Sequence, residues 1–131
     1  DTTGLLILSD DGKFIHRMTS PRHHVPKVYE VTTKHPIDAT QIAKLIDGVV
    51  LDDDPKPVAA HTATQRDTHQ LSLTLTQGKY HQVKRMIAAV SNRVEALHRS
   101  QIGRLTLTDL TPGQWRWLTA QEVSEVSAKV K

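Results

Sequence analysis

Leu71, Leu73 and Leu75 alternate with Ser72, Thr74 and Thr76, the clearest period of two in the chain. Successive side chains of a strand point to opposite faces, so the leucines line one face and the hydroxyls the other. A few residues later the period changes. Val83, Met86, Ile87 and Val90 fall at i, i+3, i+4 and i+7, the stripe of an amphipathic helix. Between the two lie Gly78 and a polar, basic run: Lys79, Tyr80, His81, Gln82, Lys84 and Arg85. Lys84 and Arg85 cannot share the apolar stripe, so they sit at its edge or opposite it. A strand, a glycine turn and a helix opening with amides and cations make a natural anion site. The plainer alternative is a solvated basic face at a strand–helix junction.

The other segments are read by the same two periods. Gly4-Leu5-Leu6-Ile7-Leu8 is a short apolar strand ended by the turn Ser9–Gly12, with Leu6 and Leu8 expected in the core. Asp11 caps a short helix over residues 13–18 that turns Phe14 and Met18 inward. Residues 19–26, with two prolines and the pair His23 and His24, form a loop. No third ligand at recognisable spacing makes a zinc site of that pair. Residues 27–33 alternate as a strand that places Tyr29 on the face of Val31. Asp38 caps a helix with Ile42, Leu45 and Ile46 inward and Gly48 at its end. Residues 49–51, 57–66 and 69–76 read as strands, with Asp67-Thr68 as a hairpin turn. Asp52-Asp53-Asp54 lacks calcium-loop spacing. Ser91-Asn92 ends the helix that follows Gly78. Residues 93–102 are a strand pairing Val94 with Ala96 on one face and Glu95 with Leu97 on the other. Leu105 and Leu107 lie on a further strand, and Trp115 and Trp117 alternate with Arg116. Thr119 and Glu122 stand at capping-box spacing for a last helix. About seven strands and four helices without strict βαβ order predict an α+β fold, a mixed and mostly antiparallel sheet with flanking helices.

Charge narrows the function. Residues 13–34 and 79–104 hold 11 of the 17 Lys and Arg but 2 of the 14 Asp and Glu, and the remainder of the chain is acidic. That split predicts a basic face for a polyanion, nucleic acid before a small acidic substrate. The absence of cysteine excludes disulfides and thiolate metal sites and is compatible with a reducing cytosol. No apolar run approaches the roughly 20 residues that cross a bilayer, so no membrane partner is expected.

In order along the chain stand Asp-Thr-Thr-Gly-Leu at 1–5, Asp-Asp-Gly at 10–12 and His-Arg-Met-Thr-Ser-Pro-Arg-His at 16–23. Lys-Val-Tyr at 27–29, Gly-Lys-Tyr-His-Gln-Val-Lys-Arg-Met at 78–86 and Ile-Gly at 102–103 follow. Together they resemble the bacterial ribosomal RNA pseudouridine synthases, in the branch acting on the small ribosomal subunit. The resemblance covers essentially the whole chain. It implies the catalytic-domain fold of that family and a reaction that detaches uracil from ribose, rotates it and reattaches it through carbon, without cofactor or metal. It also implies that residues 1–131 are the carboxy-terminal portion of that domain. The amino-terminal RNA-binding module and the start of the catalytic domain are absent. The catalytic aspartate of such enzymes stands two residues before the acid matched by Asp1, hence upstream, so these residues alone are expected to be inactive. Tyr29 matches the tyrosine that stacks on the target base. Lys84 matches the basic residue that keeps the aspartate ionised. Arg22, Lys27, Lys79, His81 and Arg85 are assigned to RNA phosphates by charge and neighbourhood. The implied partner is small-subunit ribosomal RNA or its assembly intermediate, and the implied protein is a cytoplasmic monomer. The competing readings are a non-catalytic RNA-binding module on the same scaffold and a hydrolase built on His81 or His98, which lacks a nucleophile within a motif.

Overall fold

The computed structural model describes residues 2–19, 25–51, 54–76, 82–107 and 110–126, the side chains of Asp54 and Pro55 excepted. In chain order the elements are β1 (Thr2–Gly4), α1 (Gly12–Thr19), β2 (Lys27–Thr33), α2 (Ala39–Asp47), β3 (Val49–Leu51) and β4 (Asp54–Val58). There follow β5 (Thr62–Asp67), β6 (Gln70–Leu75), α3 (Gln82–Ala89), β7 (Val94–Ile102), β8 (Leu105–Thr106) and α4 (Ala120–Val126). The expected α+β class holds. The main sheet runs β1-β7-β2-β6-β5, with β8 on β7, and β3 and β4 form a separate ribbon. Every pair is antiparallel except β1 with β7.

The leucine alternation builds the core. In antiparallel pairs, residues directly opposite share a face. Leu71 stands opposite Val31 and Leu73 opposite Tyr29. Leu71, Leu73 and Leu75 are buried with Val31 and Leu97, and Val83, Met86, Ile87 and Val90 from α3 and its end join them. Leu45 of α2 and the β3–β4 ribbon close the same cluster. A second cluster gathers Leu5, Phe14, Met18, Val25, Ile102, Leu105 and Val126. The opposite face of the sheet is polar. There Ser72 Oγ donates to Glu30 Oε2 at 2.5 Å and accepts from Arg66 Nε at 2.9 Å.

The caps follow the sequence. Asp38 Oδ1 accepts from the Gln41 amide at 2.8 Å, and Asp11 Oδ1 accepts from the Lys13 amide at 3.0 Å. Thr119 and Glu122 form a reciprocal capping box, Thr119 N donating to Glu122 Oε1 and Glu122 N to Thr119 Oγ1. Asn92 does more than end a helix. Its buried amide accepts from the His35 and Arg93 amides and donates to His35 O and Gln41 Oε1, tying α2 to the start of β7.

Several expectations need correction. Leu6 and Leu8 are 70% and 86% exposed, not core. The strand stops at Gly4, and the inward parity of the apolar run belongs to Leu5 and Ile7. Ile46 is exposed, because the α2 stripe centres on Leu45 with Ile42 at its margin. Residues 57–66 form no single strand: Val58 ends β4 and Thr62 starts β5 in a different sheet. Trp115 and Trp117 lie in an exposed non-strand segment, their rings edge to face at 5.5 Å. There are eight strands among the described residues rather than about seven.

The most consequential correction concerns β7. Against β2 it carries two irregularities. Thr32 faces Ala96 and Thr33 faces Val94, leaving Glu95 over; Tyr29 faces Arg99 and Val28 faces Gln101, leaving Ser100 over. One extra residue on a strand reverses the side-chain parity beyond it. Val94 and Leu97 therefore reach the same core, instead of the opposite faces that strict alternation assigns.

Candidate active site

Tyr29 stands in the middle strand of three, β6 on one side and β7 on the other. The strand period puts its ring on the Lys27 and Val31 face. It is half-buried, packed against the leucine core, and its hydroxyl makes no hydrogen bond to a described residue. A flat ring with one edge in the core and one in solvent is a suitable platform for another flat ring.

Arg99 lies directly across from Tyr29 on β7. Its Nε donates to the Leu5 carbonyl at 2.9 Å, and the backbone of Leu5 donates to Arg99 O at 2.8 Å. Gly4 makes this approach possible. At φ 112° an added Cβ would lie 2.2 Å from Arg99 O and 2.5 Å from Arg99 N. The irregularity at Ser100 then brings Ile102, opposite Lys27, to the same face as Arg99.

Lys27 is 8% exposed. Its Nζ donates to the carbonyls of Met18 and Val25, each at 3.3 Å. Burial first, and the charge of Arg99 second, hold its ammonium below the ordinary lysine range. Lys27 is thus not a surface cation, although its charge and sequence neighbourhood suggested one. Lys27 and Arg99 line a cavity of about 140 Å³ whose walls are mainly apolar, among them Leu6, Phe14, Met18 and Ile102.

On α3, the apolar stripe settles where the cations go. Val83, Met86 and Ile87 are buried, Lys84 is half-buried and Arg85 exposed. The Lys84 ammonium has no carboxylate or hydrogen-bond acceptor among the described residues. Gln82, at the helix start, is 3% exposed, and both polar atoms of its amide lack a partner among those residues. Asp1, Arg22, His23, His24, Lys79 and His81 lie outside the described residues. Arg99 and the buried Gln82 amide were missed as site candidates. A basic count over residues 79–104 contained Arg99, but only strand parity separates it from its neighbours.

Among the described residues no three His, Asp or Glu side chains come together as a metal site. No helix among them is long and apolar enough to cross a membrane.

Comparison with known proteins points one way. The family described as RNA pseudouridylate synthase matches residues 1–89. Ribosomal small subunit pseudouridine synthase A of Yersinia pestis is 46% identical over 129 residues, covering 98% of this chain and 55% of that protein. The protein of the same name from Escherichia coli K12 is 45% identical over 130 residues, with 96% and 55% covered. A crystal structure of a pseudouridylate synthase superposes with a TM-score of 0.90 at 41% identity, over 96% of this chain and 55% of that one. The chain spans about half the length of the curated relatives it matches.

Proposed function

The chain belongs to the RNA pseudouridylate synthase family, and we propose that the protein it forms part of converts a uridine of small-subunit ribosomal RNA to pseudouridine. The reading is supported most by one observation: a half-buried tyrosine with an unengaged hydroxyl packs against the leucine core, and the helix whose apolar stripe fills that core carries a half-buried lysine with no carboxylate partner among the described residues.

In the proposed reaction the target base leaves the RNA stack, and the Tyr29 ring replaces the stacking it loses. The N1–C1′ bond breaks, the uracil rotates, a C5–C1′ bond forms, the C5 proton leaves to solvent, and N1 takes up one proton in its place. Atoms balance without oxidant or cofactor. An aspartate upstream of Asp1 attacks or stabilises the ribose–uracil system. Lys84 supplies the cation that keeps this carboxylate ionised inside a partly desolvated site. Arg22, Lys79, His81 and Arg85 hold phosphates along the RNA path; Lys27, being buried, contributes charge from beneath.

The test is release of tritium from [5-³H]uridine-labelled small-subunit RNA. The full-length protein turns over; residues 1–131 alone do not. Tyr29→Ala in the full-length protein abolishes release while retaining most RNA affinity, because phosphate contacts supply the larger share of binding. Turnover by residues 1–131 alone would show that the nucleophile has been misplaced. Binding without turnover by the full-length protein would favour a non-catalytic RNA-binding module.

A further inference from the structure

Lys27 and Arg99 are two cations lining one small cavity, and their surroundings do not balance them. Neither has a carboxylate within ion-pair distance among the described residues. Glu30, the acid of β2, points to the opposite face and is bonded to Ser72. The Lys27 ammonium keeps one N–H beyond its two carbonyls. Arg99 uses Nε on Leu5 and leaves both terminal nitrogens without a partner among those residues. Like charges beside apolar walls repel more strongly than in water, and buried cations are ordinarily paired. The arrangement is therefore complete only with an anion.

Its position names the anion. Lys27 lies two residues from Tyr29 on the same face, about 7 Å along the strand, and Arg99 lies directly across from Tyr29. A base on the tyrosine and an anionic group on the cations would belong to a single nucleotide. We propose that Lys27 and Arg99 form a phosphate subsite for the nucleotide whose base stacks on Tyr29. The subsite rests on the functional reading above and adds Arg99 to it. The guanidinium offers two parallel donors to phosphate oxygens, and Lys27 adds a point charge from below.

The experiment compares uridine 5′-phosphate with uridine as ligands of the full-length protein, by calorimetry at fixed low salt. Wild type binds the phosphate about tenfold tighter, the worth of one charge-assisted contact. Arg99→Gln removes that preference and Arg99→Lys restores part of it, while uridine affinity changes little in either. In RNA binding, Arg99→Gln lowers the slope of log K against log salt by about 0.7, one single-strand phosphate. An unchanged preference in Arg99→Gln overturns the proposal, as does a wild type that binds neither ligand at millimolar concentration. If the anion is instead a carboxylate from elsewhere in the protein, Arg99→Gln lowers the melting temperature and wild type shows no preference for the phosphate, which also refutes the subsite. Failure of the wild type to release tritium from RNA, with the phosphate preference intact, would sink the functional reading separately.

Discussion

Replacing Gly4 by alanine tests how tightly β1 is built onto β7. The added Cβ meets Arg99 O, N and C at 2.2, 2.5 and 2.8 Å. These are main-chain atoms of a paired strand and have no rotamer with which to move aside. The φ of 112° also lies where side chains are strained, at about 1–3 kcal/mol. Relief requires β1 to swing outward, which breaks the 2.8 Å bond from Leu5 N to Arg99 O, about 1 kcal/mol net. The sum is roughly 2–4 kcal/mol before any loss of packing around Leu5. For a chain of this size that lowers the melting temperature by about 8–16 °C. Gly12 is the control. An added Cβ there meets nothing within 4 Å, so Gly12→Ala at the first position of α1 is neutral or stabilising by about 0.5–1 kcal/mol. Thermal unfolding by far-UV circular dichroism measures both, and hydrogen exchange at the Leu5 amide reports detachment of β1 alone. The reasoning fails if Gly4→Ala melts within a degree or two of wild type and still protects the Leu5 amide.

Two further perturbations reach other parts of the fold. Asn92→Leu strands the His35 and Arg93 amides and the His35 carbonyl, so urea unfolding should show a loss of about 2–4 kcal/mol; a loss below 1 kcal/mol would mean that water replaces the amide. The Glu122 carboxyl is pulled down to about 2, first by its hydrogen bonds from Arg116 and then by the Thr119 amide. A depressed carboxyl stabilises above its unfolded value and loses that contribution as pH falls through the folded one, so the start of α4 loosens between about pH 4.5 and 2. Trp115 and Trp117 are the two tryptophans of the chain, and their near-UV signal should follow this transition in wild type and lack it in Glu122→Gln; superimposable titrations would refute the assignment.

How far the fold could be read depended on whether the signal was local. Leu71, Leu73 and Leu75 against Ser72 and Thr74 gave the strand and its faces, since burial on one side alone leaves that alternation. Asp38, Gly48, Thr119 and Glu122 marked helix ends because capping acts over three residues or fewer. Leu6 and Leu8 failed because Leu5-Leu6-Ile7-Leu8 is apolar at both parities, so nothing in it says which pair turns inward. Val94 and Ile102 failed for a different reason, since strict alternation turns both away from the face of Leu97. The extra residues Glu95 and Ser100 are defined by the partner strand, about 70 positions earlier in the sequence, and neither carries a glycine or proline to mark it. The resemblance led to Tyr29 and Lys84 through their motifs. It could not show that Lys27 lies beneath the surface, since that depends on where the carbonyls of Met18 and Val25 fall.

The pairing of β1 with β7 also bears on how this protein reaches its native state. The β5–β6 hairpin closes across Thr68 and His69, a contact that forms on the microsecond scale. Thr2 meets Leu97 only after nearly the whole intervening chain has been drawn together, and contacts so remote in sequence carry the largest loop-closure entropy. Loop closure thus predicts that the edge setting Leu5 against Arg99 forms late in folding. Chains arrested before it would hold a formed leucine core and Tyr29 without the backbone that orients Arg99, so the proposed phosphate subsite would be completed only after the core has closed.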